Sequence, residues 1–376
     1  MTDSKCFLLI SHEFPPVGGG AANAAGHYAE ELAKMGHKVI VMTAGYKNLA
    51  ERETRNGVTI IRLSAKRHHA HKSNPFEMFF FIFAALFSLG SIVDRFRPDH
   101  ALIFFVSPFG LLGLALKAWF DVPFSVFARG GDIPGFVHIT SFYHSFLQPL
   151  TDRILEEAEH VFTNGAYLKQ LTDKLLDEEK EAINIPNGLD TDLYKPKIVG
   201  EELKLLFVGR MVQSQKNFMV LPEILKETPD LNLHLYMVGD GPDLDLFKSK
   251  IYEYGLQDKV TMLKWLNKAS LAKFYEICDV LIFPSLVEGV SNVLVEALAS
   301  GLYVLGNDIP DTRFFIEETR RGYVMQTNSP KEYVELLRDL YHDPARIEVG
   351  ISRSVLAELS WQRSTEKLEQ HLLEEK

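Results

Sequence analysis

The amino-acid sequence predicts an α/β protein of two doubly wound domains that face a central cleft, each built on a parallel sheet. Three observations lead to this prediction. With 376 residues, the chain is long enough for two domains that each have a core. Apolar, strand-like runs alternate with segments of helical periodicity, which is typical of a parallel sheet with helices on both faces. The alternation stops at a turn-rich stretch, residues 186–202, and then starts again.

The first domain is expected over residues 1–186. Its first strand is the apolar run from Lys5 to Ile10. A helix with apolar positions on one face is predicted from Ala24 to Met35, where Gly36 ends it. The later strands of this domain are predicted at residues 38–43, 59–63, 101–106, 123–127 and 160–163.

An apolar segment from Phe76 to Val93 follows a basic run, Lys66 to Lys72. It admits three interpretations: a transmembrane span, a helix that contacts a membrane, and a core helix. The charged residues at 94–97 and the strand expected directly afterwards argue against a span. Membrane contact and core helix both stay open.

The second domain is expected over residues 187–359. A helix is predicted at residues 217–226, after the first strand, and the polar amphipathic segment from Trp361 to Glu375 predicts a final helix within residues 360–376. The strands of this domain are predicted at residues 204–208, 232–238, 259–263, 280–283 and 302–306.

Composition bounds the class of protein. Charged residues make up 24% of the chain and hydrophobic residues 46%, as in an ordinary soluble globular protein. The formal net charge of -10 argues against a general nucleic-acid binder. The two cysteines, Cys6 and Cys278, are expected to be buried in a reducing compartment. The sequence has no signal-peptide pattern at its start, so we expect a cytoplasmic protein.

Glu288 and Glu296 lie on either side of a predicted helix start. The apolar strand 280–283 ends before Glu288, and Ser291 or Asn292 can cap the helix that holds Glu296. A helix N-terminus offers unpaired N–H groups and a positive dipole end, which together favour a phosphate. A carboxylate in front of such a site suits sugar hydroxyls, so the pattern indicates a ligand that is part phosphate and part sugar.

Arg210 and Lys216 fall in the loop after the first strand of the second domain. Arginine binds phosphate through bidentate hydrogen bonds and lysine acts as a point charge, so the pair suits a diphosphate. Parallel topology places this loop at the same sheet edge as Glu288. Gly239 follows another strand of this sheet, where it either admits a nucleoside or forms a plain turn.

The glycine run 18–20 follows the first strand and opens a helix. It fails the dinucleotide fingerprint, because Asn23 stands where the third glycine belongs and no acidic residue ends the second strand. The glycines are expected to let the backbone approach a ligand, although a flexible turn remains an alternative.

Arg129 and Asp132 follow the strand 123–127, and both are expected to be exposed to the cleft. An aspartate there can accept hydrogen bonds from sugar hydroxyls or take up a proton. The alternative is a turn-forming aspartate after two glycines.

The chain resembles the retaining nucleotide-sugar glycosyltransferases of family 4 (glycosyl transferases group 1), which have the GT-B fold of two Rossmann-like domains. The resemblance runs over nearly the whole chain, through four segments that include residues 12–20, 187–190, 209–217 and 288–296. It implies that the final helix, 360–376, crosses back to the first domain. It also implies that the first domain binds the acceptor and the second the nucleotide sugar.

The resemblance assigns roles by position. Arg210 and Lys216 would hold the donor diphosphate, Glu296 would bind the ribose hydroxyls, and Glu288 would contact the donor sugar. The remaining donor-binding positions are expected to act mainly through their backbone: Gly19, Gly20, Gly239, Ser291, Asn292 and Val293.

The chain departs from the family at the turn 129–132. Many members carry a histidine there, whereas His138 comes several residues later in this chain. No catalytic histidine is therefore assigned, and Asp132 or Arg129, on the acceptor side, is expected to take its part.

These observations predict a retaining transferase. It would move a hexose or N-acetylhexosamine from a nucleotide sugar, UDP by family frequency, to an acceptor hydroxyl in cell-surface polysaccharide or glycolipid synthesis. A lipid-linked saccharide at the inner face of the membrane is the favoured acceptor. No metal or other cofactor is expected, because no Asp-x-Asp motif stands at a suitable strand end. A GT-B epimerase or phosphorylase and a non-catalytic subunit that binds nucleotide sugars remain alternatives.

Overall fold

The computed structural model describes residues 4–65, 67, 69, 74–135, 141–188, 199–288, 291–348 and 353–374. The chain forms two compact units, Met1–Asn187 with Trp361–Lys376, and Gly188–Ser360. Both breaks between the units lie one residue after the positions expected from the sequence.

The first unit contains a sheet whose order in the described residues is β3-β4-β2-β1-β5-β6-β7-β8. Every pairing is parallel except that of β3 with β4. All residues of β1, β5 and β6 are buried, because helices cover both faces, and this explains their continuous apolar sequences. The strands are β1 Cys6–Ile10, β2 Lys38–Ala44, β3 Arg52–Arg55, β4 Val58–Leu63, β5 His100–Phe104, β6 Phe124–Ala128, β7 Val161–Thr163 and β8 Ile183–Asn184.

Helices α1 to α5 connect the strands of the first unit. They are α1 Gly20–Lys34, α2 Pro75–Phe96, α3 Leu111–Phe120, α4 Ser141–Glu157 and α5 Ala166–Asp173. The predicted helix 24–35 therefore begins four residues earlier, at Gly20, directly after the glycine run. Both cysteines are buried, as expected.

The C-terminal helix α15, Trp361–Leu373, packs on α1 of the first unit. The Trp361 ring stacks on His27, with ring centroids 4.3 Å apart, and meets the edge of Tyr28 at 5.4 Å. Glu369 Oε1 lies 2.6 Å from Nε2 of buried His37. The expectation that the final helix returns to the first domain is confirmed.

Helix α2 has one buried and one exposed face. Asn74 and Glu77 form a capping box at its start. Five residues of one face lie in the core, namely Phe81, Ile82, Ala85, Leu89 and Ile92. The opposite face exposes Phe76, Phe79, Phe80, Phe83 and Phe87. In the described residues α2 is the one helix long and apolar enough to cross a membrane.

The second unit contains a parallel sheet whose order in the described residues is β11-β10-β9-β12-β13-β14. The first strand, β9, lies in the middle of the sheet. The chain adds β10 and β11 on one side of β9 and β12 to β14 on the other, so the strand order reverses between β9 and β12. Ligands bind at such a switch point in open α/β sheets. The strands are β9 Leu203–Val208, β10 Leu233–Val238, β11 Val260–Leu263, β12 Val280–Phe283, β13 Tyr303–Asn307 and β14 Gly322–Met325.

The helices of the second unit lie between these strands and after them. The predicted helix 217–226 begins three residues later, at Val220, because Asn217 takes a left-handed conformation after the short helix α6. The helices are α6 Gln213–Lys216, α7 Val220–Glu227, α8 Leu244–Glu253, α9 Lys268–Ile277, α10 Asn292–Ala299, α11 Pro310–Thr319, α12 Pro330–His342, α13 Ala345–Glu348 and α14 Arg353–Glu358.

Candidate active site

Two loops meet at the switch point of the second unit. One follows β9 and contains Arg210 and α6, and the other follows β12 and leads to Glu288. The Leu286 N–H donates to the Gln215 carbonyl over 2.8 Å, so the loops are joined through the backbone. The parallel pairing of β9 with β12 places both loops at the carboxyl edge of the sheet. The structure thus brings together the basic loop and the acidic loop.

Lys216 and Glu288 form an ion pair across these loops. Their side chains are 15% and 18% exposed, so water screens the pair only in part. The ammonium also lies 5.7 Å from the centre of the Phe283 ring. The geometry places one carboxylate and one cation, already paired, where a ligand phosphate can compete for the lysine.

Arg210 is exposed, and its side chain has no hydrogen bond or ion pair in the described part of the chain. Its backbone is fixed by the next residue, Met211, which is fully buried. The Met211 N–H donates to the Asp240 carbonyl over 3.0 Å, and the Met211 carbonyl accepts from Asp243 N–H at 3.2 Å. The loop therefore holds its backbone firmly and leaves a guanidinium available to a ligand.

Gly239 ends β10 against the same loop. Its φ is +145°, and a Cβ there would lie 1.9 Å from the Gly209 carbonyl oxygen. The Gly209 N–H in turn donates to the Val238 carbonyl over 3.0 Å. Close approach of the neighbouring backbone thus requires glycine here, before any nucleoside is considered.

The start of α10 lies just beyond the acidic loop. Ser291 is the N-cap, and its side chain makes no capping hydrogen bond. Its carbonyl accepts from Val295 N–H at 3.1 Å, while Asn292 and Val293, the first helical residues, are half-buried. The first backbone N–H groups of α10 are therefore not capped by the Ser291 side chain, as a phosphate site would require.

Glu296 lies in the second turn of α10 and is held by a residue that sequence reasoning missed. The Tyr275 hydroxyl donates to Glu296 Oε2 over 3.1 Å. Burial, together with this carboxylate, raises the pKa of Tyr275 well above its usual value, so the phenol remains a donor. Tyr275 thus orients the carboxylate assigned to ribose hydroxyls.

Asn307 was also missed, and it fixes the turn before Glu288. Its Nδ2 donates to the Pro284 carbonyl over 2.7 Å and to the Ser285 carbonyl over 3.2 Å. Its Oδ1 accepts from the hydroxyl of buried Tyr333 at 2.9 Å. The sequence feature that could have indicated Asn307 is a polar residue at the end of a strand that neighbours β12.

The glycine run of the first unit presents open backbone at the start of α1. Gly18 has a φ of +110°, and a Cβ there would lie 2.5 Å from Ala22 Cβ. Gly19 is the N-cap and would meet nothing within 4 Å. Gly20, like Gly19, is exposed. Glycine at position 18 is therefore required by the conformation of the turn, whereas Gly19 and Gly20 leave the backbone accessible to a ligand.

The prediction that Asp132 is exposed is wrong. Its residue is 3% exposed, and its two carboxylate oxygens accept from Val106 N–H at 2.6 Å and Arg129 N–H at 2.9 Å. Burial raises the pKa of this carboxyl and the backbone hydrogen bonds oppose that rise. Asp132 therefore joins the loops after β5 and β6, which is a positioning role.

Arg129 is half-buried rather than fully exposed. Its two terminal nitrogens lie 3.3 Å from Asn187 Oδ1, and its guanidinium lies 5.1 Å from the centre of the Phe127 ring. Burial lowers its pKa, against the influence of Tyr28 and Asp132.

The basic run 66–72 and His138 lie mostly outside the described residues. Of the run, Arg67 and His69 are described. Arg67 is buried and pairs with Glu13 at 2.7 Å, so it is not a surface charge. Within the described ranges, no group of three or more His, Cys, Asp or Glu side chains could hold a metal ion.

Comparison with known proteins identifies two family models along the chain. The model of glycosyltransferase family 4 matches residues 18–193, and that of glycosyl transferases group 1 matches residues 190–354. An uncharacterized glycosyltransferase of Methanocaldococcus jannaschii is 26% identical in an alignment 342 residues long, which covers 86% of this chain and 85% of the relative.

Solved structures share the fold over nearly the full length. Sucrose-phosphate synthase from Thermosynechococcus elongatus superposes with a TM-score of 0.81 at 20% identity, over 97% of this chain and 98% of that one. Anabaena HepE in complex with UDP-glucose superposes with a TM-score of 0.74 at 14% identity, over 98% and 99%. The two family models together match residues 18–354 without a gap, and the chain belongs to the group 1, family 4 glycosyltransferases, with their GT-B fold.

Proposed function

We propose that this glycosyltransferase moves a hexose or an N-acetylhexosamine from a UDP-sugar to an acceptor hydroxyl, with retention of the anomeric configuration. The main support for this proposal is the Lys216–Glu288 ion pair at the switch point of the second unit. Arg210 lies in the same loop as Lys216, and its side chain is unpaired among the described residues. The complexes of Anabaena HepE, which shares the fold, with UDP and with UDP-glucose support uridine as the nucleoside.

In the proposed reaction, the bond between the sugar and the diphosphate breaks and negative charge grows on the leaving phosphate. Arg210, Lys216 and the N-terminus of α10 stabilise that charge best when it is fully developed, which lowers the barrier. Because these groups supply positive charge from the protein, the proposal requires no metal. The leaving phosphate accepts the proton of the acceptor hydroxyl, which attacks from the same face of the sugar.

The two carboxylates have different parts in this proposal. The ribose hydroxyls donate to Glu296, whose other partner is the Tyr275 hydroxyl. Glu288 accepts from hydroxyls of the donor sugar once the phosphate draws Lys216 away from it. On this assignment residues 187–359 bind the donor, and residues 1–186 with 360–376 bind the acceptor.

Arg210→Ala is expected to weaken donor binding by roughly tenfold or more, because a charge-assisted hydrogen bond to phosphate is lost. The measurement is a thermal-shift panel of UDP-, GDP- and ADP-sugars, since a ligand that binds only the folded state raises the melting temperature. One nucleotide class should stabilise the wild type, and it should stabilise the variant less at the same ligand concentration.

Arg346→Ala is the matched control, because this arginine is 55% exposed and its partner Asp343 is 3.7 Å away. It should behave like the wild type. If no nucleotide sugar shifts the melting temperature of the wild type, the proposed function is refuted.

We also propose that the enzyme works at the inner face of a membrane, through the exposed face of α2. Three of its phenylalanines, Phe79, Phe83 and Phe87, are 64%, 52% and 77% exposed. At the end of the helix, three cations surround the Phe96 ring within 5.5 Å of its centre: Lys38, Arg52 and Arg95. Aromatic side chains flanked by cations are typical of a helix that lies on anionic lipid.

Replacing Phe79, Phe83 and Phe87 by Ser is expected to weaken binding to phosphatidylglycerol vesicles by more than about tenfold, because apolar burial drives this binding. Flotation with vesicles measures it, and the donor thermal shift serves as the folding control. Equal flotation of the variant and the wild type would refute membrane contact by α2.

A further inference from the structure

Arg129 is a half-buried cation whose guanidinium forms no ion pair with a carboxylate of the described residues. Its Nε is buried without a hydrogen-bond partner. The nearby carboxylate, Asp132, uses both oxygens on backbone N–H groups. In the described residues no acidic side chain pairs with the guanidinium, and burial lowers its pKa. A guanidinium in this position is destabilised until an anion joins it.

The contacts that Arg129 does make leave most of its hydrogen-bonding capacity unused. A guanidinium has five N–H donors in a fixed fork. Here the two terminal nitrogens share a single acceptor, Asn187 Oδ1, and both distances are 3.3 Å. Charge-assisted hydrogen bonds are shorter, about 2.7–2.9 Å. The amide oxygen therefore orients the guanidinium but does not satisfy it.

Two other polar atoms near Arg129 are buried and lack a hydrogen bond. They are the Tyr28 hydroxyl and Asn164 Oδ1. Tyr28 and Arg129 contact the same ring, Phe127, with centroid distances of 5.4 and 5.1 Å. Ala128 pairs with Thr163, so Arg129 and Asn164 directly follow neighbouring parallel strands, β6 and β7. All three residues belong to the first unit, at or near the carboxyl edge of its sheet, where ligands bind in open α/β folds.

We infer that Arg129 binds an oxyanion, a phosphate or a carboxylate, on the acceptor substrate. The inference rests on the proposed function, because it concerns the second substrate of the same reaction. The donor diphosphate already has Arg210, Lys216 and the α10 N-terminus, all in the second unit. The Arg129 guanidinium in the first unit is an additional group that can bind an anion in bidentate fashion, and the proposed donor contacts do not include it. A saccharide linked to a lipid phosphate and a sugar acid both carry this chemistry.

The test measures anion binding while UDP occupies the donor site. With UDP saturating, inorganic phosphate and acetate are titrated against the wild type by calorimetry, with methyl glucoside as the uncharged comparison. At least one anion should bind the wild type. In Arg129→Gln its affinity should fall by at least about tenfold, because the charge-assisted pair is lost. Methyl glucoside should not distinguish the two proteins.

Arg129→Lys is the second variant, and it shows whether a loss of anion binding in Arg129→Gln comes from the lost charge or from a folding defect. It keeps the charge and loses the fork, so it should bind the anion more weakly than the wild type and more tightly than Arg129→Gln. UDP affinity should be unchanged in both variants.

Each other outcome overturns the inference in a distinct way. A loss of UDP affinity in Arg129→Gln would assign the residue to the donor diphosphate. Anion binding that is equal in the wild type and both variants, or absent in the wild type although UDP binds, would refute the subsite and leave the transferase proposal standing. If UDP itself fails to bind the wild type, the proposed function falls first.

Discussion

Replacing Glu288 by Ala is expected to lower the turnover number by roughly 10²–10³-fold, the effect of removing one preorganised polar group from an active site. The same change should leave UDP affinity intact or raise it. The reason is the ion pair: in the free enzyme Lys216 is held by Glu288, and without the carboxylate its ammonium is free for the diphosphate. Release of UDP from a UDP-sugar measures turnover, and calorimetry with UDP measures the affinity.

The split between turnover and affinity separates the proposed transferase from its alternatives. An epimerase would consume the donor without any acceptor, and a phosphorylase would need free phosphate and an oligosaccharide. A subunit that only binds nucleotide sugars would tolerate Glu288→Ala without loss. Glu317→Ala, at a side chain 61% exposed on α11, is the control and should keep full turnover. Unchanged turnover in Glu288→Ala would contradict the site assignment.

The fold could be predicted from the sequence wherever strands are buried on both faces. The central strands β1 and β12 are continuous apolar runs, and β9 is apolar except at Lys204. Each lies within about a residue of its predicted bounds. Two short edge strands, β3 and β14, were not predicted, although the edge strand β11 was. Strand β3 reads Arg-Glu-Thr-Arg and is partly exposed, so it has no apolar period, and only its pairing with β4 reveals it.

The candidate site divides in the same way. Parallel topology alone places residues that follow β9 and β12 at one sheet edge, which is why the meeting of Lys216 with Glu288 could be foreseen. The groups that support the site could not be. Tyr275 and Asn307 reach their partners across 21 and 23 positions of sequence, through tertiary packing that no local pattern encodes.

Asp132 shows the converse error. A turn of glycines and an aspartate at a strand end predicts exposure, but the backbone N–H groups of Val106 and Arg129 compensate the carboxylate for leaving water. The sequence does not record that the loop after β5 comes this close. We therefore propose Arg129, rather than Asp132, for the acceptor-side chemistry of the first unit, because its hydrogen-bonding capacity remains largely unused.

Gly239→Ala is expected to destabilise the second unit by about 2–6 kcal/mol, the sum of backbone strain and overpacking. Its φ of +145° is unfavourable for alanine, and the new Cβ would lie 1.9 Å from the Gly209 carbonyl oxygen. Relief requires the turns after β9 and β10 to separate. Because Arg210 follows Gly209 directly, donor affinity should fall together with stability. Amide hydrogen exchange, resolved by peptide, measures the stability of each unit separately.

Gly255→Ala isolates the effect of close approach from that of backbone strain. Gly255 also has a positive φ, +66°, but a Cβ there would meet nothing within 4 Å. Only strain remains, so its cost should be about 1–2 kcal/mol. If both variants lose the same stability, contact with Gly209 is not what requires glycine at position 239. If Gly239→Ala keeps its stability and loses only UDP binding, the two turns can separate without cost. Glycine at position 239 would then be required by contact with the nucleoside.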